Sequence, residues 1–181
     1  MLDSRSPSVV KWARPSSGFV KLNVDGSSLS NTRKLGGGGI CRRDNGEFIF
    51  AFVVGYGIGS NTRAKLRAVY NSLRMCFELG HNRIEVESDC RIVVGLLHGS
   101  TDFSWRWENW FLRIGKLRAS GSCSFHHVLR EGNASADGMA RLGSDNQLSF
   151  STRHLADLPS KIKGLIFLDK VGLGAIRSAP L

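Results

Sequence analysis

The sequence predicts an α/β domain on a five-stranded mixed sheet, an antiparallel meander followed by two parallel strands, with helices on its faces. Three observations predict it. From Phe19 to Ser27 the apolar Val20, Leu22 and Val24 alternate with Lys21 and Asn23, the period of a half-buried strand, and the run meets Asp25 and Gly26. Asp44-Asn45-Gly46 is a hairpin signal between two further strand-like runs, the second being Glu47 to Val54. Beyond Thr62 the period becomes helical, and the later strand-like runs, Ile84 to Glu87 and Cys123 to Leu129, each follow helical stretches. Strands joined in that way lie parallel, with right-handed crossovers.

The elements follow in order. Residues 1–15, rich in Ser, Arg and Pro with Trp12 as the large anchor, read as a tail or linker, and residues 16–145 as the domain. Gly36 to Gly39 precede no G-K-[ST] and open no helix, so they serve close strand packing or a bulge rather than a phosphate loop. Leu66, Tyr70, Leu73 and Phe77 give the helix from Thr62 to Leu79 one apolar face, and Gly80 stops it. Arg91 to Leu97 is a short helix. Trp107, Trp110, Phe111, Ile114 and Leu117 form the apolar face of another, a spacing that favours packing over a base-stacking platform. After the turn Arg130 to Asn133 comes a helix from Ala134 to Leu142. Residues 146–181 form a C-terminal extension in which Ile162, Leu165, Ile166 and Leu168 suit a short docking helix.

Composition narrows the function classes. The net charge of +10 is spread along the chain without a dense basic run, which favours polyanion partners, nucleic acid first. Cys41, Cys76, Cys90 and Cys123 show no C-x-x-C spacing and read as core thiols of a reducing compartment. No stretch has membrane-spanning length, and the N-terminus lacks the apolar core of a signal peptide. The expectation is a soluble, intracellular monomer of the nucleus or cytoplasm, with no membrane partner. No helix with clustered Arg and Asn argues for a sequence-specific DNA reader.

Asp25 stands at a strand end, Asp89 ends the run Ile84 to Ser88, and Asp137 heads an alanine-rich helix. Ligands gather at the carboxyl ends of parallel strands. Three clustered carboxylates repel one another unless cations neutralise them, and hard oxygen ligands suit magnesium. Two such ions activate a water and stabilise the leaving oxygen of a phosphodiester. Taken singly, each aspartate would be read as a turn or helix cap.

Four motifs in order, K-L-N-V-D-G-S, N-T-R-A-K-L-R-A, V-E-S-D-C and H-V-L-R-E-G-N-A-S-A-D-G-M-A, resemble the plant ribonuclease H-like domains related to the ribonuclease H region of non-LTR retrotransposon reverse transcriptases. The resemblance covers residues 12–145, and L-P-S-K-I-K-G-L-I-F-L-D is similar to that group's tail. It implies a ribonuclease H-like fold and hydrolysis of RNA in RNA-DNA hybrids with magnesium, or manganese in its place. Asp25, Asp89 and Asp137 match the family's catalytic, metal-holding acids; Asn133 matches an asparagine that supports them or touches substrate, and Ser27 lies beside the first acid. Hybrid contacts of this kind go to phosphates and 2′-hydroxyls and are salt-sensitive. A proofreading-type exonuclease would instead carry D-x-E where this chain has Asp25-Gly26-Ser27. His126 and His127 lie in the preceding strand and read as structural.

The family's glutamate falls on Lys65. An ammonium there changes the local charge by two units and offers donors in place of metal-binding lone pairs. Thr62 and residue 65 have capping-box spacing, which puts the lysine against the helix dipole in the first turn. We expect Lys65 to act as an internal counter-ion for the aspartates, with hydrolysis weakened or lost. The alternative is a non-catalytic descendant that binds nucleic acid or protein through the same groove. Glu85 and Glu87 share the strand parity of Asp89 and are candidates either to rescue metal binding or to pair with arginine.

Overall fold

The computed structural model describes residues 8–99 and 107–177, so the first seven residues of the expected tail lie outside it. The elements are β1 (Ser8–Val10), β2 (Val20–Ser28), β3 (Lys34–Arg42), β4 (Phe48–Ile58), α1 (Asn61–Glu78), β5 (Arg83–Ser88), α2 (Arg91–Leu97), α3 (Glu108–Arg118), β6 (Ser122–His127), α4 (Ala134–Asn146), β7 (Phe150–Thr152), α5 (Ser160–Lys170) and β8 (Ala175–Arg177). A 3-10 turn, Arg130–Asn133, leads into α4, and another, Leu155–Asp157, precedes α5.

The main sheet has the order β6-β5-β2-β3-β4-β7. Its body is the expected five strands: β2, β3 and β4 form the antiparallel meander, and β5 and β6 extend β2 in parallel. The extension supplies a sixth strand, β7, paired antiparallel to β4 from Ala51↔Thr152 to Val53↔Phe150. β1 and β8 pair only with each other, in a two-stranded antiparallel ribbon. Among the described residues, no helix is long and apolar enough to cross a membrane.

On one face α1, α2 and α3 cover the sheet. Leu22, Val24, Phe50, Ile84 and Phe125 meet Leu66, Leu73, Val93 and Ile114 there, with Trp107, Trp110 and Phe111 packed at the margin. On the other face Ile40, Ala51 and Val53 meet Met139 of α4 and Ile162 and Ile166 of α5. All four cysteines are free, with Cys41 and Cys76 buried side by side at Sγ–Sγ 3.8 Å.

Gly36, Gly38 and Gly26 set helix positions. A Cβ at Gly36 or Gly38 would overlap the backbone of α4, so the glycine run lets a helix, rather than a strand, lie directly on the sheet; a register shift sits between Leu35 and Gly36 as well. A Cβ at Gly26 would overlap the backbone of Ala64 and Lys65, so α1 rests directly on β2.

The half-buried reading of β2 does not hold. Its polar face is also covered: Lys21, Asn23 and Asp25 are 3%, 0% and 3% exposed. α4 and Trp12 close over that face, and a polar network takes the place of an apolar one. Alternation shows which residues share a face; it does not show that the polar face is wet.

Candidate active site

The parallel ladder between β2 and β5 ends at Asn23↔Glu87. β5 then stops at Ser88, whereas β2 stays paired with β3 to Ser28. Asp25 therefore does not end its strand, as the glycine after it suggested; it lies just past the point where two parallel strands part. Asp89, one residue beyond β5, lies on the other side of that fork, which is where a sheet of this kind opens a crevice.

α1 brings the third group. Its N-cap is Ser60, whose Oγ accepts from the Arg63 amide at 3.4 Å, not Thr62. Residue 65 consequently sits in the second turn and not at the capping-box position, and the dipole fades within the first turn. With Gly26 admitting the helix backbone, the Lys65 side chain runs over β2 into the fork. Its Nζ donates to Asp25 Oδ1 and, at 3.0 Å, to Asp89 Oδ1. Asp137, in the first turn of α4, is held differently: Arg141 Nε lies 3.1 Å from Oδ2 and Arg130 contributes at 3.4 Å to Oδ1.

The electrostatics follow from burial. Burial drives the Asp25 carboxyl up to about 6, with Asp89 pushing the same way and Lys65 opposing. Burial acts to lower Lys65, but the facing carboxylates of Asp25 and Asp89 outweigh it and hold the amine above its ordinary value. The fork thus sets one ammonium between two carboxyl groups.

This donor set does not fit a divalent ion. The space between Asp25 and Asp89 is spanned by an ammonium with no lone pair to give, and Asp137 is engaged by two guanidinium groups. Among the described residues, no three His, Cys, Asp or Glu side chains are arranged to hold a metal.

The other predicted residues fall into place around this centre. Asn133 is fully buried, its Nδ2 donating to the Val24 carbonyl at 3.0 Å and its Oδ1 accepting from Asn23 at 3.2 Å, so its side chain faces the sheet. Ser27 lines the groove and accepts from Ser144 at 3.2 Å. Glu87 binds Lys21 and Asn23, and Glu85 lies 3.5 Å from Lys21, so the pairing partner across the strands is a lysine and not the arginine expected. His126 bonds Ser124 at 2.9 Å on the exposed edge strand.

The fork opens into a groove of about 470 Å³ lined by Asp25, Ser27, Asn61, Lys65, Asp137 and Arg141. A neighbouring hollow of about 510 Å³ lies at the α1 N-terminus, lined by Arg33, Ser60, Arg63, Trp107, Trp110 and Arg113. There the Arg113 guanidinium lies 5.4 Å from the Trp110 ring centre. The arginines on Asp137 and in this hollow were not singled out from the sequence. The i, i+4 spacing of Asp137 and Arg141 was the one local signal available.

A family model described as reverse transcriptase-like matches residues 23–143. The Arabidopsis thaliana protein named "Putative ribonuclease H protein At1g65750" is 31% identical over 167 residues, 91% of this chain and 26% of its own length. The chain thus spans about a quarter of that relative. Among solved structures, ribonuclease H1 of the archaeon Halobacterium salinarum is 24% identical with a TM-score of 0.67, covering 71% of this chain and 98% of its own. The N-terminal ribonuclease H domain of a Mycobacterium tuberculosis protein is 21% identical with a TM-score of 0.68, covering 71% and 95%. LC11-RNase H1, solved in complex with an RNA/DNA hybrid, is 20% identical with a TM-score of 0.66, covering 70% and 97%. The chain belongs to the reverse transcriptase-like family and carries a ribonuclease H fold.

Proposed function

We propose that this is a ribonuclease H-type domain that binds nucleic acid, an RNA-DNA hybrid above all, along the groove at the β2–β5 fork, and that hydrolysis is weakened or lost in it. The observation that carries the reading is the Lys65 ammonium bonded to both Asp25 and Asp89. Magnesium at this fork would supply an activated water and charge neutralisation; the lysine supplies only the neutralisation. Asp25, Asp89 and Asp137 remain as the lineage's acids, now each paired with a cation of the chain itself.

Support for a polyanion partner comes from the hollow beside the fork. Arg33, Arg63 and Arg113 stand with two tryptophans at a helix N-terminus, in a chain of net charge +10. The relative solved with an RNA/DNA hybrid gives the partner class its precedent. The contacts expected are to phosphates and 2′-hydroxyls, tolerant of sequence.

The test is a binding titration with a labelled RNA-DNA hybrid and with duplex DNA of the same sequence, in EDTA and in magnesium. The hybrid binds in EDTA, affinity falls with salt, and Arg63→Ala and Arg113→Ala each reduce the salt slope by about 1. Absence of binding at low salt in both buffers would overturn the reading.

A further inference from the structure

At the base of the fork, segments from near both ends of the described chain converge on one buried arginine. Arg42, at the end of β3, is 1% exposed. Its guanidinium lies 3.9 Å from the ring centre of Trp12, donates to Asp169 of α5 at 2.7 Å and donates to Asn23 Oδ1 at 2.7 Å. Trp12 Nε1 donates to the same Asn23 oxygen at 2.8 Å. Two donors on one oxygen settle which end of the Asn23 amide is the carbonyl. Its Nδ2 is thereby aimed at Glu87, 2.9 Å away, and at Asn133 Oδ1.

The same polarity passes to the next amide. Because Asn133 presents its oxygen to Asn23, its own Nδ2 is left to hold the Val24 carbonyl, one residue before Asp25. Asn133 closes the 3-10 turn that carries Arg130 and immediately precedes α4, whose first turn carries Asp137. Arg130, Asp137 and Arg141 form one wall of the groove. A single flip of Asn23 would set its amide nitrogen against two donors and its oxygen against that of Asn133, weakening the tie between the start of that wall and β2.

We infer that Trp12 and Asp169 are positioning residues for the groove: through Arg42, Asn23 and Asn133 they fix the wall formed by residues 130–141, so the N-terminal segment and α5 are part of the binding site. The binding half of this inference rests on the function proposed above; the positioning half does not.

Hydrogen exchange separates the two. In the full chain, Asp169→Asn and Trp12→Phe keep the shape of the pocket and weaken one link each. Amide exchange over residues 133–138 speeds up by about tenfold in each variant, while the interior of α1 keeps its protection. Hybrid affinity falls several-fold in the same variants, and Asp169→Glu restores both. Faster exchange confined to α5 and the β1–β8 ribbon, or a uniform rise across all elements, would overturn the relay. If the unmodified protein binds no hybrid, the exchange result still decides whether the wall is held from the termini.

Discussion

The backbone of Lys65 lies directly on Gly26, so closely that a methyl group at residue 26 would overlap the lysine's amide nitrogen. The residue after the first acid thereby sets where α1 sits, and with it which acids the side chain at 65 can reach. A glutamate in that place would face Asp25 and Asp89 and need a cation between them. Lysine is its own cation.

Gly26→Ala is therefore expected to cost about 1–3 kcal/mol, the usual range for overpacking a tight contact. The overlap is with the backbone of Ala64 and Lys65, which cannot swing aside as a side chain can. Denaturant unfolding measures it; a change within about 0.5 kcal/mol, ordinary for an unconstrained surface site, would show that α1 stands off from β2.

The acidity of Asp25 gives a second prediction. Its folded value of about 6 exceeds the ordinary 3.8, so the folded chain binds this proton more tightly than the unfolded one. The contribution of Asp25 to unfolding free energy then falls as pH rises between those two values and is flat above them. Asp25→Asn should remove that slope in urea titrations at successive pH values. In Lys65→Gln the opposing charge is gone, and the carboxyl midpoint followed by NMR should move above that of the unmodified protein. A midpoint in the unmodified protein at or below the ordinary value would refute the buried setting.

Lys21 and Glu87 test the covered polar face. They are 3% and 5% exposed and ion-paired. Glu87→Leu leaves Lys21 only Glu85 at 3.5 Å, removes an acceptor from Asn23 Nδ2 and is expected to cost about 3–5 kcal/mol, whereas adding Lys21→Met recovers the part due to the unpaired lysine. A double-variant cost equal to the sum of the two single-variant costs would mean that the pair is not coupled.

Much of this architecture is legible in local sequence. The meander, the switch of period at α1 and the three aspartates are each announced within a few residues of themselves. Lys65 was legible as a departure because the motif around it is otherwise intact. What escaped depends on contacts distant in sequence. Trp12 reads as a tail anchor and Asp169 only as the last residue of the closing motif until the fold brings both to Arg42, and no local period encodes a meeting across 127 residues. Ser60 takes the cap from Thr62 because the chain enters α1 earlier than capping-box spacing suggests. The glycines of β3 read as a strand feature, yet two of them, Gly36 and Gly38, answer to α4, a helix about a hundred residues further on, while Gly37 and Gly39 meet Tyr56 and Phe52 of β4.

Lys65 bonds both Asp25 and Asp89, and the function proposed above has its ammonium neutralise them where a metal ion otherwise would. The most direct measurement is cleavage of a labelled RNA-DNA hybrid in magnesium or manganese by the unmodified protein, Lys65→Glu and Asp25→Asn. Lys65→Glu is expected to cleave while the unmodified protein stays at the level of Asp25→Asn. Cleavage by the unmodified protein that Asp25→Asn abolishes would contradict it, since the site would then work with the ammonium in place.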